Sequence, residues 1–292
     1  MSEAHKGVAA LVAACVVWGL SPLYYKLLAH LPPLEVLAHR TLWSFAAFGI
    51  VLLVQGRLAL IAAAFSMRRQ IVIAFFSALA ISVNWFLFIY AVGAGRALEA
   101  SIGYYIYPLV AVVAGFVVMR EAIAPLQWVA VGLVALAVLV LTAGLGVAPW
   151  ISLALAFSFA GYGVLKRWIA SGPVVSVTVE TLLLTPLALV VLGVWGQGAF
   201  AANWRDAGLL ALSGPLTAVP LILFSYATKR AAMATVGLTL YLNPTLQFLV
   251  AWLVFREAVT GWHAIALPMI WAALALYSGV AVRRAARGSA TP

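Results

Sequence analysis

The chain has 292 residues, of which 66% are hydrophobic and only 8% are charged, and its mean hydropathy is +1.13. Soluble domains carry charge on about a quarter of their residues, so this composition excludes a soluble protein and predicts an integral membrane protein. The net charge of +10 would suggest a nucleic-acid partner in a soluble chain. Here the charges lie in short loops between apolar runs, so we expect no nucleic-acid partner.

Ten apolar windows of about 20 residues, the length that crosses a bilayer, follow one another along the chain. They lie near residues 8–28, 34–55, 70–91, 97–118, 126–143, 149–168, 174–195, 207–227, 233–254 and 261–281. Long continuous runs that contain Gly and Pro favour helices over the alternating pattern of a β-barrel. The predicted fold class is an all-α integral membrane protein with ten transmembrane helices.

The loops between these spans share their Lys and Arg residues unequally. With the N-terminus on the cytoplasmic side, that side receives twelve: Lys6, Arg57, Arg68, Arg69, Arg120, Lys166, Arg167, Lys229, Arg230, Arg283, Arg284 and Arg287. The other side receives four: Lys26, Arg96, Arg205 and Arg256. The positive-inside rule therefore predicts that both termini are cytoplasmic.

Two stretches of the chain, Tyr90 to Ile123 and Tyr226 to Val259, align without a gap at a constant offset of 136. The aligned identities are Tyr90/Tyr226, Ala91/Ala227, Tyr105/Tyr241, Pro108/Pro244, Val118/Val254, Arg120/Arg256, Glu121/Glu257 and Ala122/Ala258. The chain is thus an internal duplication, with five-helix repeats predicted over 1–145 and 146–292. Because five is odd, the second repeat enters the membrane from the opposite face. We expect one packed, monomeric body built from two inverted repeats, an arrangement that recurs in secondary transporters.

Each repeat carries a proline inside a span, Pro108 and Pro244, which we interpret as paired hinges at the same depth. A proline inside a helix removes one hydrogen bond and frees the carbonyl four residues earlier, here that of Tyr104 and Leu240. Paired interruptions in corresponding helices indicate a transport site near the middle of the membrane.

Ionisable side chains within spans are costly in lipid and are therefore functional candidates. Arg40 and Glu180 correspond at an offset of 140, each seven residues after a proline. A direct Arg40/Glu180 pair or a shared substrate site is geometrically possible, and the alternative is that each pairs with a neighbour or snorkels. Glu180 is the candidate for proton coupling. Lys26 and Lys166 are expected to snorkel.

Tyr and Trp side chains, which join an apolar ring to a polar tip, are suited to line a cavity for an amphipathic solute. The candidates are Trp18, Tyr24, Tyr25, Trp85, Tyr90, Tyr104, Tyr105, Tyr107, Tyr162, Tyr226 and Tyr241. The alternative is the aromatic belt found at each membrane interface. Asn84 and Asn243 add amide groups at membrane depth, either as substrate contacts or as links between helices. Glu35 and His39, within helical reach of Arg40, are interpreted as charge compensation for it, with proton binding as the alternative.

The chain has no HExxH, no Cys pair and no GxxxxGK[ST] motif, so we predict neither an enzyme nor a metal or cofactor site. A membrane-embedded enzyme and a passive facilitator or channel remain as alternatives to active transport. The expected partners are a small-molecule solute and membrane lipid.

Several segments resemble one family, the RarD branch of the EamA transporters in the drug/metabolite transporter superfamily. They are Trp18 to Lys26 (WGLSPLYYK), Leu34 to Ser44 (LEVLAHRTLWS), Asn84-Trp85, Arg96 to Tyr105 (RALEASIGYY) and Leu242 to Gln247 (LNPTLQ). The resemblance implies a ten-helix carrier of the bacterial inner membrane that exports small metabolites or drugs, and the branch name is tied to chloramphenicol sensitivity. The chain departs from the pattern that the resemblance implies at Tyr107, because Asn is expected there before the proline.

Together these features predict a secondary active exporter of a small amphipathic or aromatic solute, such as an amino acid or a chloramphenicol-like drug.

Overall fold

The computed structural model describes residues 2–146, 148–231 and 233–288, without the side chains of 233, 234 and 281–288. Within these ranges ten helical segments follow one another. They are α1 (Glu3–Leu27), α2 (Pro33–Val54), α3 (Arg68–Gly93), α4 (Ala97–Met119), α5 (Pro125–Leu145), α6 (Trp150–Lys166), α7 (Pro173–Trp195), α8 (Trp204–Thr228), α9 (Met233–Leu240, Leu242–Leu249 and the π-helical turn Val250–Val254) and α10 (Gly261–Gly288). Two short helices, Ala59–Ala64 and Ala199–Ala202, lie in connecting loops.

The length and composition of these helices confirm the predicted all-α membrane protein. In the described part of the chain, nine helices are long and apolar enough to cross a bilayer. The remaining one, α6, has 17 residues and is also apolar. At 1.5 Å per residue it spans about 26 Å, close to the thickness of the hydrocarbon core. The side chains of Arg283, Arg284 and Arg287, which contribute to the predicted orientation, lie outside the described residues.

Contacts between helix ends show that the two repeats run in opposite directions. The start of α1 meets the end of α8, where Arg230 Nε donates to Glu3 Oε2 at 2.9 Å. The end of α6 meets the start of α3, where Gln70 Nε2 donates to the Trp168 carbonyl at 3.1 Å. We call this side the N-terminal face. Because α1 starts there and its counterpart α6 ends there, the repeat is inverted.

The duplication is visible in backbone geometry as well as in sequence. Arg120 and Arg256, which correspond at the offset of 136, both adopt the left-handed conformation, with φ of 56° and 58°. In each copy the amide of the following glutamate reaches back to close the helix: Glu121 N donates to Gly115 O at 3.3 Å and Glu257 N donates to Ala251 O at 3.0 Å. This is the usual way for a helix to satisfy its last carbonyls. Both repeats therefore present a glutamate in the same way, on opposite faces.

The helices pack in pairs that follow the same symmetry. Helix α2 packs against its counterpart α7, and α5 packs against its counterpart α10. The pair α1 and α8 is matched by α6 and α3, and the pair α4 and α6 is matched by α9 and α1. Close approach between α1 and α9 requires Gly19, because a β-carbon there would lie 2.6 Å from Leu246 Cβ.

The two helices that carry the aligned prolines Pro108 and Pro244 differ, contrary to the expectation of equal breaks. Helix α4 continues through Pro108, whereas α9 is interrupted at Tyr241. Pro244 lies in the first turn of the segment after the interruption, where a missing N–H costs little because those donors have no partner within the helix. Two side chains donate hydrogen bonds to carbonyls at the break. Cys15 Sγ donates to Thr239 O at 3.5 Å, and Thr245 Oγ1 donates to Tyr241 O at 2.7 Å.

Candidate functional site

Arg40 lies inside the bundle, on α2, with only 8% of its surface exposed. Its guanidinium carbon is 4.1 Å from the centre of the Trp85 ring and 5.5 Å from that of Tyr25. Its Nε donates to Thr217 Oγ1 at 3.2 Å. The neighbours thus come from α1, α3 and α8, and all three are neutral. Cation–π contacts with Trp are the strongest of their type and stabilise a cation that has left water.

Glu180, at the corresponding position on α7, is held by a different set of groups. Its Oε1 accepts from Lys166 Nζ at 2.9 Å, from Ser77 Oγ at 2.8 Å and from Ser176 Oγ at 3.2 Å. Its Oε2 accepts from the Tyr162 hydroxyl at 3.4 Å. The carboxylate side chain is 2% exposed, so it is both buried and paired. Lys166 is therefore an internal ion-pair partner rather than a snorkelling residue.

The predicted alternative of a direct Arg40/Glu180 pair is not adopted in this structure. Both side chains contact α3, Arg40 at Trp85 and Glu180 at Ser77. These two contacts are eight residues apart, which corresponds to about 12 Å along the helix. The two charges thus lie at different depths on one side of α3.

Five aromatic rings, which we call the aromatic row, connect the two charges. They are Tyr25, Phe88, Tyr104, Phe159 and Tyr162, and successive ring centres are 5.7, 5.9, 6.0 and 6.0 Å apart. Tyr107 packs on Phe159 at 4.5 Å. Such distances are typical of aromatic pairs that stabilise one another. The row begins under the Arg40 guanidinium and ends at the hydroxyl that donates to Glu180.

Two members of the aromatic row, Phe88 and Phe159, were missed by the sequence reasoning because neither has a polar tip. A signal was available in their spacing. Phe88 follows Asn84 by one helical turn, and Phe159 precedes Tyr162 by three residues, so each shares a helix face with a predicted residue. Counting all aromatic residues on those faces would have found both.

The amide of Asn84 fixes one wall of this region. Its Nδ2 donates to Leu155 O at 3.0 Å and to Ser158 Oγ at 3.1 Å, both on α6. Its Oδ1 accepts from the Tyr104 hydroxyl at 2.9 Å. Asn84 thus links α3, α4 and α6 and positions the central ring of the aromatic row.

A cavity of about 710 Å³ lies beside the prolines, between α4, α9 and α10. Its lining includes Tyr105 and Tyr241, and the Tyr105 hydroxyl is 2.8 Å from Thr245 Oγ1. The volume is within the range of small-molecule sites. Leu238 and Trp271, which also line it, are 50% and 45% exposed. This cavity therefore opens at the side of the bundle, toward lipid.

A second cavity, of about 290 Å³, lies at the N-terminal face and is called the vestibule here. It extends from Arg57 and Gln70 at the surface to Ser176. Because Ser176 donates to Glu180, the buried carboxylate is one hydrogen bond away from the vestibule. Gln70 also accepts from the Ala170 amide at 3.1 Å, so its side chain bridges the start of α3 and the loop after α6.

The remaining predicted residues are not members of the aromatic row, although Tyr24 packs edge-on against its first ring, Tyr25, at 4.8 Å. Trp18 packs on Phe224, the Tyr24 hydroxyl donates to Leu209 O at 2.5 Å, Tyr90 packs on Phe86 and Trp150, Tyr226 is 37% exposed beneath Arg230, and Asn243 accepts from Gln247 at 3.0 Å. Glu35 does not compensate Arg40, because its oxygens accept from the amides of Gln197 and Ala199. His39 stacks on Phe200.

Comparison with known proteins identifies the family. The model of the EamA-like transporter family matches residues 5–143. Protein RarD of Streptomyces exfoliatus is 42% identical over 94% of this chain and 88% of its own length. An uncharacterized transporter of Bacillus subtilis, YojE, is 39% identical over 95% of each chain. The chain belongs to the RarD branch of the EamA transporters.

Membership in the RarD branch establishes the general activity. The chain is a multi-pass bacterial membrane protein and a transporter of the drug/metabolite type, not an enzyme. A solved crystal structure that is 18% identical aligns with a TM-score of 0.63 over 94% of this chain and 97% of its own. At this identity the likeness concerns the fold alone, and it agrees with the ten-helix architecture described above.

Proposed function

We propose that this RarD-branch chain is a secondary active exporter of a small amphipathic or aromatic solute. The observation that carries the proposal is the aromatic row between Arg40 and Glu180. Aromatic rings offer apolar contacts to an aromatic solute, and a buried charge at each end can fix its orientation. The inverted repeats supply the symmetry that alternating access requires.

Proton coupling is proposed for Glu180. Intramembrane carboxylates are the usual proton carriers of transporters. Glu180 is separated from the vestibule only by Ser176, so a proton has a short route between the N-terminal face and the carboxylate. In this scheme, protonation of Glu180 releases Lys166 and loosens the contact between α6 and α7.

Flexibility is proposed for α4 and α9, with Pro244 as the principal hinge and Pro108 as its weaker counterpart. The interruption at Tyr241 leaves α9 in separate segments that can tilt independently, while α4 is continuous. Movement of α9 would change the cavity that Tyr105 and Tyr241 line.

Transport in proteoliposomes tests the exporter proposal. Vesicles are loaded with radiolabelled chloramphenicol, phenylalanine or tryptophan, and flux is measured with and without a pH gradient and with unlabelled solute on the opposite side. We expect saturable flux, counterflow and acceleration by the gradient. Flux that is linear in concentration and shows no counterflow would instead support a passive facilitator or channel.

The coupling residue is tested in the same vesicles. Glu180→Gln should retain counterflow but lose the acceleration by a pH gradient, because the amide cannot carry a proton. Glu3→Gln is the matched control, since Glu3 lies in the first turn of α1 with a side chain that is 63% exposed. Unchanged gradient dependence in Glu180→Gln removes Glu180 from the mechanism.

We also propose a monomer in the bacterial inner membrane, with both termini in the cytoplasm. The unequal distribution of basic residues between the loops supports this orientation. Single cysteines at Arg69 and Ala94 test it in intact cells. A membrane-impermeant thiol reagent should modify only the cysteine at Ala94, which lies on the face opposite the N-terminus.

A further inference from the structure

The chain has seven acidic side chains, and all of them lie within the described residues. Each has a partner other than Arg40. The pairs are Glu3 with Lys6 and Arg230, Glu35 with the amides of Gln197 and Ala199, Glu99 with Arg96, Glu121 with Arg167, Glu180 with Lys166, Asp206 with His30, and Glu257 with the amides of Ala97 and Leu98. The chain therefore provides no side-chain counter-ion for Arg40.

This makes Arg40 unlike the other cation that lies deep in the bundle. Lys166 forms an ion pair with Glu180, so that pair carries no net charge. Arg40 is buried to a greater degree than Lys166 but contacts only rings and one hydroxyl. Ring contacts offset part of the cost of burying a charge, whereas a paired anion offsets much more.

The guanidinium also has unused hydrogen-bonding capacity. It carries five N–H donors in a planar fork, and Nε is the one for which the described residues provide an acceptor. The remaining donors belong to the two terminal nitrogens, whose geometry matches both oxygens of a carboxylate. The Trp85 and Tyr25 rings hold the fork in place without competing for these donors.

We infer that Arg40 binds a carboxylate, or a similarly planar anionic group, on the transported solute. This inference rests on the proposed function, in which the solute lies along the aromatic row. It narrows the substrate class from amphipathic or aromatic compounds to aromatic organic anions. The solute supplies the missing counter-ion at Arg40, and its ring stacks beside Tyr25, the first ring of the row.

Binding to the wild-type protein tests the charge requirement. The melting temperature of the purified protein is measured with phenylacetate, phenylacetamide and phenethylamine at equal concentration and ionic strength. A ligand that binds only the folded state raises this temperature. We expect the largest rise with phenylacetate and at most a small one with phenylacetamide. A rise of equal or greater size with the amide, with the amine or with sodium chloride overturns the inference.

Variants of Arg40 test whether phenylacetate binds at this residue. Phenylacetate affinity should fall at least tenfold in Arg40→Gln and less in Arg40→Lys, whereas the weak affinity for phenylacetamide should not change. Arg69→Gln, which replaces an exposed arginine at the start of α3, is the matched control and should bind as the wild type does.

Arg40→Gln should also melt no lower than the wild type in the absence of ligand, because it removes a buried charge without a counter-ion. A large loss of stability in Arg40→Gln would indicate an internal partner and contradict the inference.

Transport measurements distinguish a failure of this inference from a failure of the proposed function. If radiolabelled phenylacetate and phenylacetamide move equally fast in proteoliposomes, export of aromatic solutes stands and the requirement for an anion fails. If phenylacetate binds in an Arg40-dependent way but no aromatic solute is transported, the anion site stands and the exporter proposal fails.

Discussion

Lys166 and Glu180 show which features of single residues could be predicted from the sequence and which could not. The sequence identified Glu180 as a costly residue at membrane depth, and that position is inside the bundle. It did not identify the partner, because Lys166 lies on another helix and pairing depends on how α6 and α7 pack. In the same way, hydropathy identified Arg40 but not the Trp85 ring that lies over it.

The ion pair gives a stability prediction at this scale. Lys166→Met leaves the Glu180 carboxylate buried without a cation, and breaking a buried pair costs about 3 kcal/mol. Glu180→Gln should cost less, because an amide can keep hydrogen bonds to Ser77 and Ser176. The double variant Lys166→Met/Glu180→Gln should be more stable than Lys166→Met alone. The free energy of unfolding in mixed detergent micelles measures all three, and equal stabilities of the double variant and Lys166→Met would contradict the coupling.

At the scale of helices, the positions of the spans could be predicted from hydropathy because lipid requires about 20 apolar residues in each. The different conformations of α4 and α9 near their aligned prolines could not be predicted from hydropathy. Both contain the aligned proline, but continuation of α4 through Pro108 and interruption of α9 at Tyr241 depend on their neighbours. The hydrogen bonds to carbonyls at the break come from Cys15 on α1 and from Thr245 on α9 itself.

Close packing between α2 and α8 gives the second prediction. A β-carbon on Gly214 would overlap the Trp43 carbonyl, whereas one on Gly208, in the same helix, would meet no atom within 4 Å. Gly214→Ala should therefore lower the free energy of unfolding by about 1–3 kcal/mol, the usual cost of overpacking. Gly208→Ala is the control and should be neutral or slightly stabilising, since Ala favours helices. Equal melting temperatures for the two variants would mean that α2 and α8 are not held this closely.

At the scale of the whole molecule, the inverted repeat predicts a second conformation. Glu257 accepts hydrogen bonds from the amides of Ala97 and Leu98, at 2.8 and 2.7 Å, and so joins α9 to the start of α4. The offset of 136 relates Glu257 to Glu121 and Ala97–Leu98 to Met233–Ala234. Glu121 is paired with Arg167 here and is 49% exposed. When the opposite face opens, we expect Glu257 to leave α4 and Glu121 to bind the start of α9.

Spin labels at equivalent positions measure this exchange. In a Cys15→Ala background, one pair is placed at Ala94 and Val259 and the other at Ile123 and Arg230. Glu257→Gln should lengthen the first distance and shorten the second. The reason is that the Glu257 carboxylate, which binds the start of α4 and closes the face opposite the N-terminus, is lost. Glu121→Gln should bias the distances in the opposite sense, and Glu3→Gln should change neither. Distances that move together would contradict reciprocal opening of the two faces.

The lone cation at Arg40 also has an electrical consequence. With an anionic solute bound, the centre of the carrier is neutral, whereas the empty carrier holds one uncompensated positive charge. Moving one such charge through the full membrane potential is worth about 2.3 kcal/mol per 100 mV. An interior-negative voltage therefore favours the empty carrier open to the cytoplasm, ready to load again. Imposing a potassium diffusion potential should accelerate the return of the empty wild-type carrier and leave Arg40→Gln insensitive to voltage.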